Sequence, residues 1–354
     1  MLIPLLLAFL AQVDTQTTTP HPAPSVAQVP TGGFYHARIE AAVMGTELVI
    51  EAWHRDELTA KRAVAAAEKE IRRVEDVMTD WRASPLETLN ASAGRGPQIV
   101  PKELTHLIAR SLEFGNITDG AFDITFGSVG RLWNFKTDPP VVPTAQDLNS
   151  ALQHVGWQRL KVDLKKSTVH LPAGMRIGLG GVAKGYGVDR AMAVLLKHGI
   201  EHGLVNAGGD LKALGRDLKA KPSTRTNSQP PTPEQQTAPL WEITIKHPRN
   251  RDRFIAKLPI SNRSVVTSGD YERFFEVDGK RFHHILNPAT GLPATGCMSA
   301  TIVAPDAAMA DALATAMCVM GVERGLALIE KIKRVDAILV SLDGKVHLSS
   351  GLLK

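Results

Sequence analysis

Between residues 60 and 78 the apolar side chains of Ala60, Val64, Ala67, Ile71, Val74 and Met78 fall at alternating steps of four and three. Only an α-helix returns its side chains to one face at that rhythm. Lys61, Arg62, Lys69, Arg72 and Arg73 stand outside the stripe, so the helix must lay one face on a core. The neighbouring chain supplies the strands for it to lie on. Ala37 to Trp53 predicts a strand interrupted at Met44-Gly45-Thr46. Pro101 opens a second helix through Leu104, Leu107, Ile108 and Leu112, with Gly115 as its expected stop. A third helix runs from Ala183 to Gly199, and Leu204-Val205 reads as a short buried strand. Further on, Trp241 to Ile245, Phe254 to Leu258 and Met298 to Ala304 read as strands. Arg273 to Val277 and Arg281 to Ile285 flank Asp278-Gly279, a favoured two-residue hairpin turn, and a closing hairpin turns at Asp343-Gly344. Asp306 caps a helix that reaches Met320, with Gly321 past its end. Helices mixed with antiparallel hairpins, and no repeat of fixed period, predict an α+β fold in preference to a doubly wound one.

The chain has 354 residues, which suits one large or two intimate domains. Its two cysteines, Cys297 and Cys318, exclude a disulfide scaffold and read as unpaired small core residues. The net charge of +5 is spread without a run of like charges, which argues against a nucleic-acid binder. Met1 to Ala11 is almost wholly apolar, too short for a membrane span but suited to the apolar part of a secretory signal. No Lys or Arg precedes it and no clean cleavage site follows, so a misplaced start codon is the competing reading. Residues 1–13 are therefore expected to be a signal peptide and 14–33 a Thr/Pro-rich tether. One domain is expected over 34–354, and the protein is expected to be periplasmic. No cysteine lies near the N-terminus, so no lipid-anchored form is expected. Residues 216–239 hold five prolines and one leucine and read as a loop insertion.

The most unusual local chemistry is Ile177-Gly-Leu-Gly-Gly-Val-Ala-Lys184-Gly-Tyr186. Glycines ahead of a helix let a ligand approach the backbone and aim free N–H groups at an anion; a tight packing turn is the plainer reading. Neither the dinucleotide fingerprint nor the P-loop spacing is present. Asn206-Ala-Gly-Gly-Asp210 is a second glycine turn, with two polar side chains able to grip a ligand or simply to close the turn. Asp311 and Thr315 stand four apart on one helix face and offer hard oxygen ligands for magnesium or calcium, unless Thr315 merely bonds back to its own helix. His283 and His284 are adjacent on a strand and so face opposite ways; only one can enter a given site. Asp119-Gly-Ala121-Phe122-Asp123 combines two carboxylates with an aromatic ring, or is a turn with its Phe in the core.

Taken together and in order, these blocks resemble the ApbE family of FAD:protein FMN transferases. The resemblance rests on Met44-Gly-Thr46, DGAFDIT at 119–125, LGGVAKGYGVDRA at 179–191 and NAGGD at 206–210. It rests further on SGDYERFF at 268–275, HHILNPATGLPA at 283–294 and APDAAMADALATA at 304–316. It implies an ApbE-like fold of two intimately packed α/β subdomains with FAD in the cleft between them. It also implies magnesium-dependent transfer of FMN from FAD to a Thr or Ser hydroxyl, with AMP leaving. Flavin-acceptor proteins, such as subunits of membrane redox complexes, are the implied partners. Carried onto this chain, Mg²⁺ would be held by Asp311, Thr315 and the Gly181 carbonyl. FAD would be contacted by Met44, Trp81, Ala121, Phe122, Asp123, Lys184 and Ile285, and His284 would be the catalytic histidine. The chain departs from the family pattern at Gly178, where the family commonly carries an Asp that contacts FAD, and in the length of the 216–239 loop.

The residue types suit that reaction. Splitting a pyrophosphate needs neutralised negative charge, positioned groups and an activated hydroxyl. Imidazole has the intrinsic proton affinity to activate a hydroxyl, and Asp123 is the alternative base. An FAD pyrophosphatase, in which water replaces the protein hydroxyl, is the runner-up; a non-catalytic flavin-binding protein is the reading from a different class.

Overall fold

The computed structural model describes residues 24–28, 33–135, 137, 139–219 and 238–353. Residues 1–13, read as a signal peptide, lie outside them, as does most of the 216–239 insertion. The chain opens with β1 (Ser25–Gln28), antiparallel to β2 (Tyr35–Val43). These residues were expected to be tether. They form an edge strand instead because β2 would otherwise leave its outer backbone groups unpaired. β2 and β3 (Thr46–His54) are joined through Met44 and Gly45, at φ +50° and +71°. The expected single interrupted strand is therefore a hairpin with the tight turn whose twist matches its strands.

α1 (Glu57–Met78) begins where Asp56 accepts the Thr59 N–H at 2.7 Å, and Ala60, Val64, Ala67, Ile71, Val74 and Met78 are all buried. Burying each of the larger members contributes on the order of 1.5–3 kcal/mol. α2 (Pro85–Ala91), capped by Ser84, and β4 (Gln98–Ile99) lead to α3 (Lys102–Ile117). Gly115 does not stop α3. It lies within the helix, because a Cβ there would come 3.2 Å from both the Trp157 ring and the Phe122 carbonyl. α4 (Gly127–Gly130) and α5 (Ala145–Leu152) follow, then β5 (Lys161–Asp163) and β6 (Thr168–His170), which join β4 in a small sheet ordered β4-β6-β5.

The second half holds α6 (Ala183–Lys197), β7 (His202–Ala207) and β8 (Asp210–Leu214). After the insertion come β9 (Trp241–His247), β10 (Asn250–Ile260), β11 (Arg263–Gly269), β12 (Phe274–Val277) and β13 (Lys280–His283). β14 (Ser299–Ala304), α7 (Ala307–Met320), α8 (Val322–Ile329), β15 (Asp336–Val340) and β16 (Val346–Leu348) complete the chain. The main sheet runs β1-β2-β3-β7-β8-β11-β14-β15-β16, antiparallel at every pairing. The fold is α+β.

Strand alternation gives the sheet two apolar faces. Val266, Ile302 and Leu339 join the core built with α1, α6 and α7. Their neighbours Val265, Val303 and Ile338 pack with Trp53 against Trp241, Ile245 and Ile260 of the β9–β10 hairpin. A third cluster ties α4 and α5 to the β12–β13 hairpin through Val129, Leu148, Ala151 and Phe282. The described ends of the insertion are drawn together where the Asp217 N–H donates to the Pro239 carbonyl at 3.1 Å. Lys219 is anchored to buried Glu51 at 2.7 Å. Cys297 and Cys318 are buried and unpaired.

Candidate functional site

A cavity of about 370 Å³ opens where the β2–β3 turn, the end of α1, the 121–126 loop, the start of α6, the β13 exit and α7 converge. That volume is within the range of small-molecule sites. Met44, Trp81, Ala121, Phe122, Asp123, Gly181, Lys184, His284, Ile285, Asp311 and Thr315 all line it. Residues spread over more than 270 positions of sequence are thus brought to one surface. Met44 lines the cavity from a largely buried position in the left-handed region, a strained conformation for a side chain of its size.

α7 carries the acidic side. Asp311 is buried and accepts the Gly185 N–H at 3.1 Å. Burial, then the neighbouring Asp210 charge, push its carboxyl well above the ordinary range, with Lys184 only partly offsetting them. Lys184 donates to Asp210 at 2.7 Å. Burial would lower its ammonium, but Asp210 and Asp311 hold it above its ordinary value. Thr315 lies one turn further along, beside Gly181. A Cβ on Gly181 would come 3.1 Å from the Thr315 hydroxyl and 3.2 Å from the Phe122 ring, so glycine keeps that space open.

The histidines separate as strand alternation requires. His283 is buried, its Nε2 donating to the Ala294 carbonyl at 2.8 Å, and it does not line the cavity. His284 does line it. Its backbone N–H donates to the Arg273 carbonyl at 3.1 Å, and its buried Nδ1 makes no hydrogen bond. Burial, then the charges of Arg273 and His283, push its pKa down to about 4, so it is neutral at ordinary pH.

Asp123 is differently placed. Its Oδ1 accepts both the N–H and the hydroxyl of Thr125, at 2.7 and 2.6 Å, and its Oδ2 accepts the Trp157 N–H at 3.1 Å. Burial raises its carboxyl despite these bonds. Both oxygens are spent on the turn. In the second glycine turn Asn206 accepts the Gly209 N–H at 2.9 Å and Asp210 Oδ1 accepts from Lys184, while the buried Asp210 Oδ2 takes no hydrogen bond among the described residues.

The site meets the needs of a flavin nucleotide: aromatic surfaces, an anion-tolerant glycine segment and a poised histidine. The family model described as ApbE family matches residues 44–339. The chain belongs to the ApbE family. It is 37% identical to an FAD:protein FMN transferase of Treponema pallidum over 76% of this chain and 74% of that protein. It is 32% identical to one from Klebsiella pneumoniae over 88% and 90%. A crystal structure of an ApbE protein from Thermotoga maritima superposes with a TM-score of 0.78 at 31% identity, covering 90% of this chain and 98% of that one.

Among the cavity residues that escaped sequence reasoning in this ApbE chain are Arg273 and Asp80. Arg273 lines the cavity over the Met44–Gly45 turn and forms no ion pair among the described residues. Asp80 lines it from the end of α1. Arg273 lies inside a block that marked the family but had no chemical logic of its own. Asp80 follows the apolar stripe with nothing in its neighbours to single it out. Only the folded chain reveals them.

Proposed function

We propose that this protein transfers the FMN part of FAD to a Thr or Ser hydroxyl of an acceptor protein, with AMP as leaving group and Mg²⁺ as cofactor. The observation that carries this reading is the meeting of Gly181, Lys184, His284, Asp311 and Thr315 on one cavity. Their donor set fits magnesium: one carboxylate, one hydroxyl and one carbonyl, all hard oxygens, with positions left for phosphate oxygens and water. The open space at Gly181 and the strained Asp311 carboxyl, which a divalent cation would relieve, support the fit. Among the described residues no group of three or more His, Cys, Asp or Glu gathers, which suits an ion held partly by substrate phosphates. When bound, magnesium would neutralise pyrophosphate charge.

The chain's own groups do the rest. The acceptor oxygen attacks the phosphorus on the flavin side; the bond to the AMP phosphate breaks, and His284 takes the hydroxyl proton. Neutral His284 is in the right protonation state but is a weak base at a pKa of about 4. An anionic pyrophosphate beside Arg273 and Lys184 would offset the positive charges that depress it, raising its basicity when substrate is present. Asp123 is the weaker candidate for base because its oxygens are engaged. Export to the periplasm, supported by the apolar Met1–Ala11 segment, is part of the same proposal.

The test is incubation with FAD and Mg²⁺, with and without an acceptor protein, followed by mass spectrometry of the acceptor and assay of AMP. One covalent FMN per acceptor with equal AMP supports the reading. Free FMN and AMP without acceptor modification would make it a pyrophosphatase, and bound FAD without AMP a flavin-binding protein.

A further inference from the structure

We propose that Asp80 is a specificity residue for FAD, its carboxylate accepting a hydrogen bond from an N–H of one of the dinucleotide's two rings at the Gly178 end of the cavity. The inference rests on FAD being the substrate. Asp80 lies two residues beyond α1, in a turn whose backbone is tied down. The Ser84 hydroxyl donates to the Thr79 carbonyl, and Arg176 donates to the Asp80 carbonyl at 2.9 Å. Arg176 is also committed to Glu87, at 3.1 Å through its other terminal nitrogen. The Asp80 carboxylate, by contrast, takes no hydrogen bond from the side chain of any other described residue and forms no ion pair among them. Burial raises it, and the nearby Arg176 charge only tempers that. Its own backbone N–H is the one hydrogen-bond donor the Asp80 carboxylate meets among the described residues, so it keeps acceptor capacity that a ligand N–H could use.

What lies beside it says which donor. A Cβ on residue 178 would sit 3.2 and 3.3 Å from two atoms of the Phe126 ring and 3.5 Å from Asp80 Oδ2. A side chain at 178 would crowd the Phe126 ring, so glycine there lets the ring and the Asp80 carboxylate lie side by side at the cavity wall. Phe126 lines the cavity, as does Trp81, whose 64% exposure leaves an indole face open for a flat ring to stack on. A carboxylate among aromatic surfaces suits a flat heteroaromatic ring with an N–H edge. It repels phosphate, which the Lys184 and Arg273 side of the cavity attracts. FAD has two such rings, the isoalloxazine with its imide N–H and the adenine with its amino group. Asp80 thus brings a carboxylate from the turn after α1 to the part of the cavity nearest Gly178, which has none to offer.

The test compares binding of FAD, riboflavin and ADP to the wild type, Asp80→Ala, and the double variant Asp80→Ala with Gly178→Asp. Flavin fluorescence reports the first two ligands and calorimetry the third, in chelated buffer and again with Mg²⁺. Asp80→Ala should weaken FAD by roughly tenfold to a hundredfold, the worth of a hydrogen bond to a charged group. The loss should track either riboflavin or ADP, and whichever it tracks identifies the ring. The double variant should recover part of the affinity, because with Asp80 truncated a shift of a few tenths of an ångström by Phe126 admits a carboxylate from residue 178. The proposal is overturned if Asp80→Ala binds FAD within twofold of wild type, or weakens riboflavin and ADP alike. It is also overturned if the double variant melts like wild type yet binds no better than Asp80→Ala. Failure of the wild type to modify any acceptor would sink the proposed transfer while leaving this binding comparison intact.

Discussion

Two buried carboxyls face the same cavity, and both are pushed up by burial, yet they are in opposite circumstances. Asp123 accepts three hydrogen bonds from its own loop and from Trp157, so its oxygens are satisfied before any ligand arrives. Asp311 accepts one, from Gly185, and is crowded by a second carboxylate that shares its only nearby ammonium. The first fixes a loop; the second leaves a carboxyl short of donors on the cavity wall. The comparison teaches that burial and a raised proton affinity do not by themselves mark a working acid. The count of satisfied lone pairs does.

The largest effect should come from breaking the second arrangement. Asp311→Ala should reduce magnesium-dependent AMP release to background, a loss of at least roughly 10²–10³-fold, as for other single electrostatic groups. Its melting temperature should change little, because relief of the crowded carboxyl is opposed by the Gly185 N–H it leaves unpaired. Full turnover in this variant would remove the metal assignment.

His284→Asn is next, with transfer lowered by roughly 10²–10⁴-fold and FAD affinity nearly intact. The wild type's pH profile sharpens the point. A base must be neutral to act, and burial, Arg273 and His283 hold His284 near a pKa of about 4 in the free enzyme. Accordingly kcat/KM should stay level as pH falls from 7 to about 5, then drop about tenfold per unit below about 4. At saturating Mg²⁺, which would keep Asp311 ionised, an acid limb near 6.5 would mean an ordinary, exposed histidine does the work.

Asp123→Asn tests the satisfied carboxyl. The amide can still accept from Thr125, but its NH₂ meets the Trp157 N–H, leaving a buried donor unpaired at a cost of about 1–3 kcal/mol. Stability by chemical denaturation should fall by that amount, while turnover per folded molecule changes little. A loss of turnover without loss of stability would restore Asp123 as the base.

The same contrast explains what could be read in the sequence. The α1 stripe, the Asp278-Gly279 turn and the shared face of Asp311 and Thr315 were legible because helix period and turn chemistry are local. The Met44-Gly45 hairpin was not, since methionine in a left-handed conformation is no turn signal. Gly115 misled for a related reason. A glycine that ends helices by habit is kept there by a distant Trp157 ring. The site's membership was legible through family motifs, but not the state of each group. Whether an Asp is satisfied depends on Trp157, Lys184 or Gly178, partners 26 to 98 residues away along the chain. That is why the bond from Lys184 to Asp210 and the place of Asp80 went unnoticed.

The smallest effect, and the finest test of the contrast, is expected at Thr315. Thr315→Val keeps the branched shape on α7 and removes only a neutral oxygen beside Gly181. If that oxygen is a metal ligand, the charged ligand Asp311 remains and the site is weakened, not lost. The magnesium concentration for half-maximal activity should then rise by roughly tenfold, about 1.4 kcal/mol, the upper part of what one neutral hydrogen-bonding group contributes. Activity at saturating magnesium should return to within a few-fold of wild type. Asp123→Asn should show no such rescue at any magnesium concentration, because nothing it lost was owed to a metal. An unchanged magnesium requirement in Thr315→Val would instead place the hydroxyl among the structural groups, bonded back within its own helix.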